Sequence, residues 1–414
     1  MASRLMLTSE RQGQLALGLR LSSATVRVFA DGVEEMLGRA LPRTPEQLAK
    51  PEVVNQLIRD YAPAGSIPLP QLENVSLPGV GFESSNCTNF LIDLDFGSDL
   101  GANSGLPRTA YVKIPCPELA TRVFANAVGF WEVEEAFCER IAPHVPIRVP
   151  QVYAVARKGA RFVLLLENLN ESPGTRMFIN RDMAAGTTID RAKMCLSTFA
   201  ELHAKFWGWT HEQRESLLPS RLHVFLGPGG RAKTRALNAA SIDPAHRTAP
   251  DLFTAKHAAV CHRAIDKWDA LVDFWYDGLL TLIHGDSHLA NLFEYRTPSG
   301  PQMGMIDFQG MQWCKGIRDV QYFLINSIEP ELLATHEHDL IDFYIQELAL
   351  RGVRLDPEDA RNQYRGYSFQ TLMVALTSIG LGGLTERDET VLTILRRSVA
   401  AMERLDFEGW LDRL

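Results

Sequence analysis

The chain has few cysteines and no pair of them in Cys-x-x-Cys spacing: Cys87, Cys116, Cys138, Cys195, Cys261 and Cys314 lie scattered through 414 residues. That pattern argues against a disulfide-stapled scaffold and predicts reduced core thiols in a cytoplasmic protein. No apolar run approaches the roughly 20 residues that cross a bilayer, so no membrane span is expected. Basic residues are not in excess, 42 Lys and Arg against 50 Asp and Glu, and the net charge of -8 argues against a nucleic-acid partner. No internal repeat or long low-complexity tract is present. What remains is ordinary globular composition, 46% hydrophobic and 22% charged, on a chain long enough for two or three folding units.

Acids are nearly missing from the first 30 residues, which hold four arginines against the single Glu10. Arg20 interrupts the one candidate apolar stretch, so the segment is expected to be an amphipathic helical extension rather than a secretory signal. Thr44 to Tyr61 follows as a helix or helix pair, and the proline-rich PAGSIPLP closes an N-terminal extension over residues 1–70.

A Walker A loop is also missing, by one residue. Residues 221–240 read RLHVFLGPGGRAKTRALNAA, but the pattern needs glycine at 232, where this chain has Ala232. A Cβ there would obstruct the close backbone approach to phosphate. The segment is read as a substrate-proximal loop.

The most informative stretch is HGDSHLAN, His284 to Asn291, followed by MIDFQ around Asp307. Asp286 stands five positions before Asn291, the spacing of the Asp and Asn in a kinase catalytic loop, and Asp307 follows the strand-like run GMI. Transfer of a γ-phosphoryl group passes through a transition state with charge spread over its oxygens, so catalysis is mostly positioning and charge neutralisation. The Asp307 carboxylate and the Asn291 amide oxygen are the hard ligands that Mg²⁺ takes alongside nucleotide phosphates. Asp286 is then left to orient an attacking hydroxyl and accept its proton. His288, four residues after His284, has no Cys or His cluster around it to make a zinc site.

HGDSHLANLF and MIDFQGMQWCKGIRDVQYFL resemble the aminoglycoside phosphotransferase and choline kinase superfamily, and most nearly its ecdysteroid-kinase-like branch. The resemblance covers about residues 70 to 340. It implies an α+β, two-lobed protein-kinase-like fold, with a small antiparallel-sheet lobe over residues 71–168 and a mostly helical lobe over 169–414. It also implies ATP with Mg²⁺ and a small-molecule alcohol as acceptor. Under it, Lys113 in the β-prone run RTAYVKIP resembles the phosphate-pairing lysine of strand three. Its carboxylate partner should lie on the helix expected over Phe124 to Ile141, which offers Glu132, Glu134, Glu135 and Glu139; the resemblance favours Glu134, with Glu135 in reserve. Glu167 and Asn168, at the end of two strands joined by Lys158-Gly159, match the hinge whose backbone meets the adenine edge. Asp319 matches an acid that holds the catalytic loop by accepting backbone hydrogen bonds.

Gly81, Ser84 and Ser85 sit in a turn whose small residues would let backbone N–H groups approach phosphate, an ordinary hairpin turn being the alternative. His203, on an apolar helical face, is read as a core residue. The acceptor stays open. Phe206, Trp207, Trp209, Trp268, Trp275 and Trp313 would suit a bulky apolar alcohol; Glu329, Glu331, Glu337 and Asp339 would suit an aminoglycoside; choline-like and sugar acceptors fit equally. A catalytically silent pseudokinase is the competing class, and it would be expected to damage the motif. Lys113, Asp286, Asn291 and Asp307 are all present.

Overall fold

The computed structural model describes residues 2–82, 86–97, 105–222, 227–380 and 389–414. It divides into two compact units, one of residues 18–176 and one of residues 177–414 together with 1–17.

The first unit is built on an antiparallel sheet: β1 (Asn74–Ser76), β2 (Gly81–Phe82), β3 (Cys87–Asp95), β4 (Thr109–Pro115), β5 (Val152–Lys158) and β6 (Arg161–Glu167). The strand order is β1-β3-β4-β6-β5, with β2 paired to β3. Side chains alternate across a strand, so each face of the sheet takes every second residue. Phe90, Ile92 and Leu94 of β3 and Ala110, Val112 and Ile114 of β4 share one face with Leu48, Val54 and Leu57 of the helices Pro45–Leu48 and Pro51–Tyr61. The residues between them fall on the opposite face, and there Asn89 pairs in register with Lys113. Thr44 caps the first short helix in a capping box with Gln47. Fully burying a side chain such as Leu57 or Val54 stabilises by about 1.5–3 kcal/mol, so the N-terminal helices are part of this core.

The long helix Ala2–Met36 contributes its residues 18–36 to the same unit. Asp31 on that helix is buried and accepts the Ala160 N–H at 3.2 and 3.1 Å, which ties down the Lys158-Gly159 turn. Arg161, also buried, donates to the carbonyls of Leu41 and Asp31 and to Glu35.

The helix expected over Phe124 to Ile141 is instead two helices, Leu119–Val128 and Phe130–Ala136, followed by a π-helical turn at Phe137–Ile141. Gly129 makes the break. Its φ of 81° is left-handed, and its N–H donates to Ala125 O at 3.0 Å to close the first helix.

The second unit is mostly helical. The helix Ile317–Ser327 has every residue buried and is surrounded by longer helices, among them Ile189–Phe206 and Pro330–Leu350. Two small antiparallel pairings stand beside it: Thr281–Ile283 with Gln312–Cys314, and Leu292–Thr297 with Gly300–Met305. Of the aromatic residues considered for an acceptor, Phe206, Trp268, Trp275 and Trp313 are core. The indole N–H groups of Trp268, Trp275 and Trp313 donate to the carbonyls of Arg231, Gly366 and Leu218. Among the described residues, no helix is long and apolar enough to cross a membrane.

Gly129→Ala should lower the stability of the first unit by about 1 kcal/mol, because an L side chain pays for a left-handed φ. Urea denaturation of the variant against the wild type measures it; an unchanged midpoint would show that the break does not need glycine.

Candidate active site

On β4 the alternation that sends Val112 and Ile114 into the helical core turns Lys113 to the other face. Lys113 is 3% exposed, and its Nζ lies 2.8 Å from both carboxylate oxygens of Glu134, itself 4% exposed. A charge so far from water is tolerable only when paired. The other acids of this helix have different partners. Glu135 binds Arg157, Glu132 lies 3.6 Å from Arg157 and 3.7 Å from Arg27, and Glu139 lies 3.8 Å from Arg140.

Glu167 and Asn168 end β6. The Glu167 carboxylate accepts from Arg148, from the Gln151 N–H at 3.0 Å and from the Ser172 hydroxyl at 3.1 Å. The Asn168 amide donates to Thr109 and accepts from the Asn170 N–H. Both side chains are thus committed to local structure, and the Glu167 N–H is itself donated to Gln151 O at 2.8 Å. Ser84 and Ser85 lie outside the described residues, while Gly81 pairs with Phe90 in the β2–β3 hairpin.

In the second unit, the loop after Thr281–Ile283 is organised by Asp319. This carboxylate, wholly buried, accepts the His284 N–H at 2.7 Å and the Gly285 N–H at 2.9 Å. His203 reaches it at 3.3 Å through Nε2, and Tyr344 donates to His203 Nδ1 at 2.8 Å. Burial pushes the Asp319 carboxyl up, but the His203 hydrogen bond and the charge of Arg318 outweigh it and bring it down to about 2. Arg318 also donates to Gly285 O, and Ser287 donates to Asp319 O. His203 is therefore a satisfied core residue, one layer behind the loop.

Gly285 has φ 83°, and a Cβ on it would run into the carbonyl oxygen of Gly310. The glycine of HGD is thus required twice, by backbone conformation and by close approach of the MIDFQG strand end. His284 bridges the same two segments. Its Nε2 donates to Ile306 O at 2.8 Å and its Nδ1 accepts the Asp286 N–H at 3.2 Å, which defines one neutral tautomer.

The loop presents Asp286. Its Oδ1 receives the Tyr322 hydroxyl at 3.0 Å and lies 3.6 Å from His288 Nε2, while its Oδ2 receives the Asn291 amide at 3.1 Å. The side chain is 28% exposed. Burial pushes its carboxyl up, yet His288, the Tyr322 hydroxyl and Arg318 together hold it below the usual carboxylate range. Tyr322 and Arg318, on the buried helix, were missed by sequence reasoning. They sit in the quoted RDVQYFL run, but nothing in its spacing says which of its side chains points at Asp286.

Asn291 spends its amide N–H groups inside the loop, on Asp286 O at 2.8 Å and on Asp286 Oδ2, so its Oδ1 is the atom left for a cation. Its backbone carbonyl accepts the Ile306 N–H at 2.9 Å, and Leu292 pairs with Met305. That register places Asn291 and Asp307 at the same end of one hairpin. Asp307 is held at φ 62° and ψ 67°, a left-handed backbone uncommon for a residue other than glycine. Two hard oxygen donors suit Mg²⁺, which draws its remaining ligands from phosphates and water. Among the described residues, His288 joins no cluster of three or more His, Cys, Asp or Glu.

Of the four acids considered for an aminoglycoside wall, Glu329 is bound by Arg397 and Glu337 is buried against Arg404 and Tyr364. Glu331 and Asp339 are exposed on the helix Pro330–Leu350. Arginines already neutralise two of the four.

The family model for ecdysteroid kinase-like proteins matches residues 112–354, more than half of the chain. The chain belongs to the ecdysteroid kinase-like family. A putative aminoglycoside phosphotransferase from Ralstonia eutropha aligns over 86% of this chain and 98% of its own, at 14% identity and a TM-score of 0.50. That likeness bears out the two-lobed, protein-kinase-like α+β fold. An ethanolamine kinase from Plasmodium vivax aligns over 78% of this chain and 81% of its own, at 13% identity and a TM-score of 0.48. A choline kinase from Cryptosporidium parvum aligns over 87% and 96%, at 11% identity and a TM-score of 0.46. No curated protein matches the chain by sequence. The matched residues of this ecdysteroid kinase-like chain run from one before Lys113 to well past Tyr322, so they include every described contact of Asp286.

Two outcomes follow for the loop. Gly285→Ala should destabilise the protein by about 3 kcal/mol, combining backbone strain with overpacking against Gly310; a thermal midpoint equal to wild type would refute the collision. Asp319 has a folded pKa below its unfolded value, so its stabilisation is present above about pH 4 and is lost as pH falls toward 2. About 2 kcal/mol should disappear over that window in wild type and not in Asp319→Asn, as read from urea titrations across the acid range.

Proposed function

We propose that this protein is an ATP-dependent small-molecule kinase that moves the γ-phosphate to a hydroxyl of an organic acceptor. One observation carries the reading: the Asp286 carboxylate is gripped by Tyr322, Asn291 and His288 and still keeps a solvent-facing side. A carboxyl held below its usual range is ionised at neutral pH. It can therefore accept the hydrogen bond of an incoming hydroxyl, fix its direction, and take its proton as the new ester bond forms.

Lys113, oriented by Glu134, would hold the nucleotide phosphates, and the backbone around Glu167 and Asn168 would meet the base, with Ser84 and Ser85 as further phosphate contacts. Asn291 Oδ1 and the Asp307 carboxylate would hold Mg²⁺. When bound, the ion supplies neutralisation of the charge shared among the phosphate oxygens. In this reading residues 71–168 serve as the nucleotide lobe and 169–414 as the catalytic and acceptor lobe, with residues 1–70 a helical N-terminal extension whose helices Pro45–Leu48 and Pro51–Tyr61 pack into the core of the sheet. The protein works in the cytoplasm, where ATP is available and its six cysteines stay reduced. The neutralised Glu329 and Glu337 and the core placement of most of the tryptophans leave no acceptor class favoured over a generic alcohol.

Asp286→Ala should retain nucleotide binding and lose at least about 10²-fold in turnover, the usual contribution of a positioned base. ADP release with Mg·ATP across a panel of alcohols reads it, and EDTA should abolish the wild-type signal. Turnover in Asp286→Ala at the wild-type rate refutes the assignment. Nucleotide binding without turnover on any acceptor would favour the silent pseudokinase.

A further inference from the structure

The connection from β4 to the helix Leu119–Val128 is Pro115–Cys116–Pro117, and a cavity of about 290 Å³ opens beside it. Three guanidinium groups line that cavity, Arg43, Arg122 and Arg161. They come from three separate places in the first unit: the segment before Thr44, the helix after β4, and the start of β6.

The charges around them do not balance. Glu35 serves two of the arginines, Arg161 at 2.9 Å and Arg43 at 3.2 Å. Asp31 lies 4.0 Å from Arg161 Nε and spends its oxygens on the Ala160 N–H. Glu118, at the start of the helix, turns to the Thr121 hydroxyl at 3.0 Å. Arg122 is left over: among the described residues its guanidinium has no ion pair and no hydrogen-bond acceptor. Its Nε is sealed from solvent without a hydrogen-bond partner, and so is the Nε of Arg161, a residue 3% exposed. Burial, aided by the charges of Arg161 and Arg43, pushes the Arg122 guanidinium below its usual range.

Unpaired N–H groups in a partly dry pocket cost free energy, and so does crowding of like charges. A small oxyanion removes both penalties together, because guanidinium groups match phosphate geometry through paired N–H donors. We propose that this cavity is a binding site for a phosphate-type anion, held by Arg122 with Arg43 and Arg161, and separate from the Lys113 site. Its position gives it a consequence. Pro115 lies two residues after Lys113 on the same strand, and the helix carrying Arg122 runs through Gly129 into the helix carrying Glu134. An anion seated there braces the connection between the two halves of the buried ion pair.

The test uses the full chain at constant ionic strength. Inorganic phosphate replaces chloride in a thermal-shift titration, and a second arm uses glycerol 3-phosphate to separate a free anion from a phosphomonoester. Wild type should gain a saturable rise of about 2 °C at tenfold excess over the dissociation constant. Lys113→Ala should keep that response, which separates this site from the nucleotide site whether or not the kinase reading holds. Arg122→Gln should abolish it, and Arg43→Gln, at a half-exposed position, should weaken the apparent affinity by about tenfold. A response to either anion supports the site, and the stronger one names its source. No rise beyond matched chloride, a rise that survives Arg122→Gln, or a rise lost in Lys113→Ala overturns the proposal.

Discussion

A single ionised carboxylate, shut away from water, is what the candidate site rests on. Asp319 accepts the N–H groups of His284 and Gly285, receives His203 from behind, and has Arg318 beside it. Moving a lone carboxylate into the interior would cost several kcal/mol, so the loop, the histidine and the arginine are all needed around it. Because two of those partners, the N–H groups of His284 and Gly285, belong to the segment that carries Asp286, the contacts that make the burial tolerable also fix the loop. The loop inherits its rigidity from the buried helix Ile317–Ser327.

From that anchor, order passes outward. Gly285 lets the loop lie against Gly310, His284 pins the loop to Ile306, and Asn291 returns to Asp286. Two segments about twenty residues apart in sequence therefore end as one unit, which carries both Asp286 and Asp307. In the other unit the same logic operates with a cation: Lys113 is buried because Glu134 is, and each makes the other tolerable.

Much of this was legible in the residues. HGD followed by Asn291 and IDF pointed to the loop and to the hairpin end that brings Asn291 and Asp307 together, and the β-prone run around Lys113 pointed to the strand, because these depend on spacing along the chain. The expectation of one unbroken helix over Phe124 to Ile141 failed at Gly129, where a left-handed φ stops a run of otherwise good helix formers. The acids offered for a cationic acceptor were real, but arginines far along the chain, Arg397 and Arg404, already neutralise two of them. Tyr322 and the three-arginine cavity were not visible at all, since each depends on groups brought together from distant segments.

By itself, then, the sequence determined which residue types were available for phosphoryl chemistry, in what order, and on what kind of element, because period and spacing are properties of the chain. Only the tertiary structure decided which side chain grips Asp286 and which arginine is left without a counter-ion. Those choices turn on which face of a helix points inward and on which opposite charges arrive first. Such facts are settled by packing across more than a hundred residues of separation, as between Arg161 and Asp31.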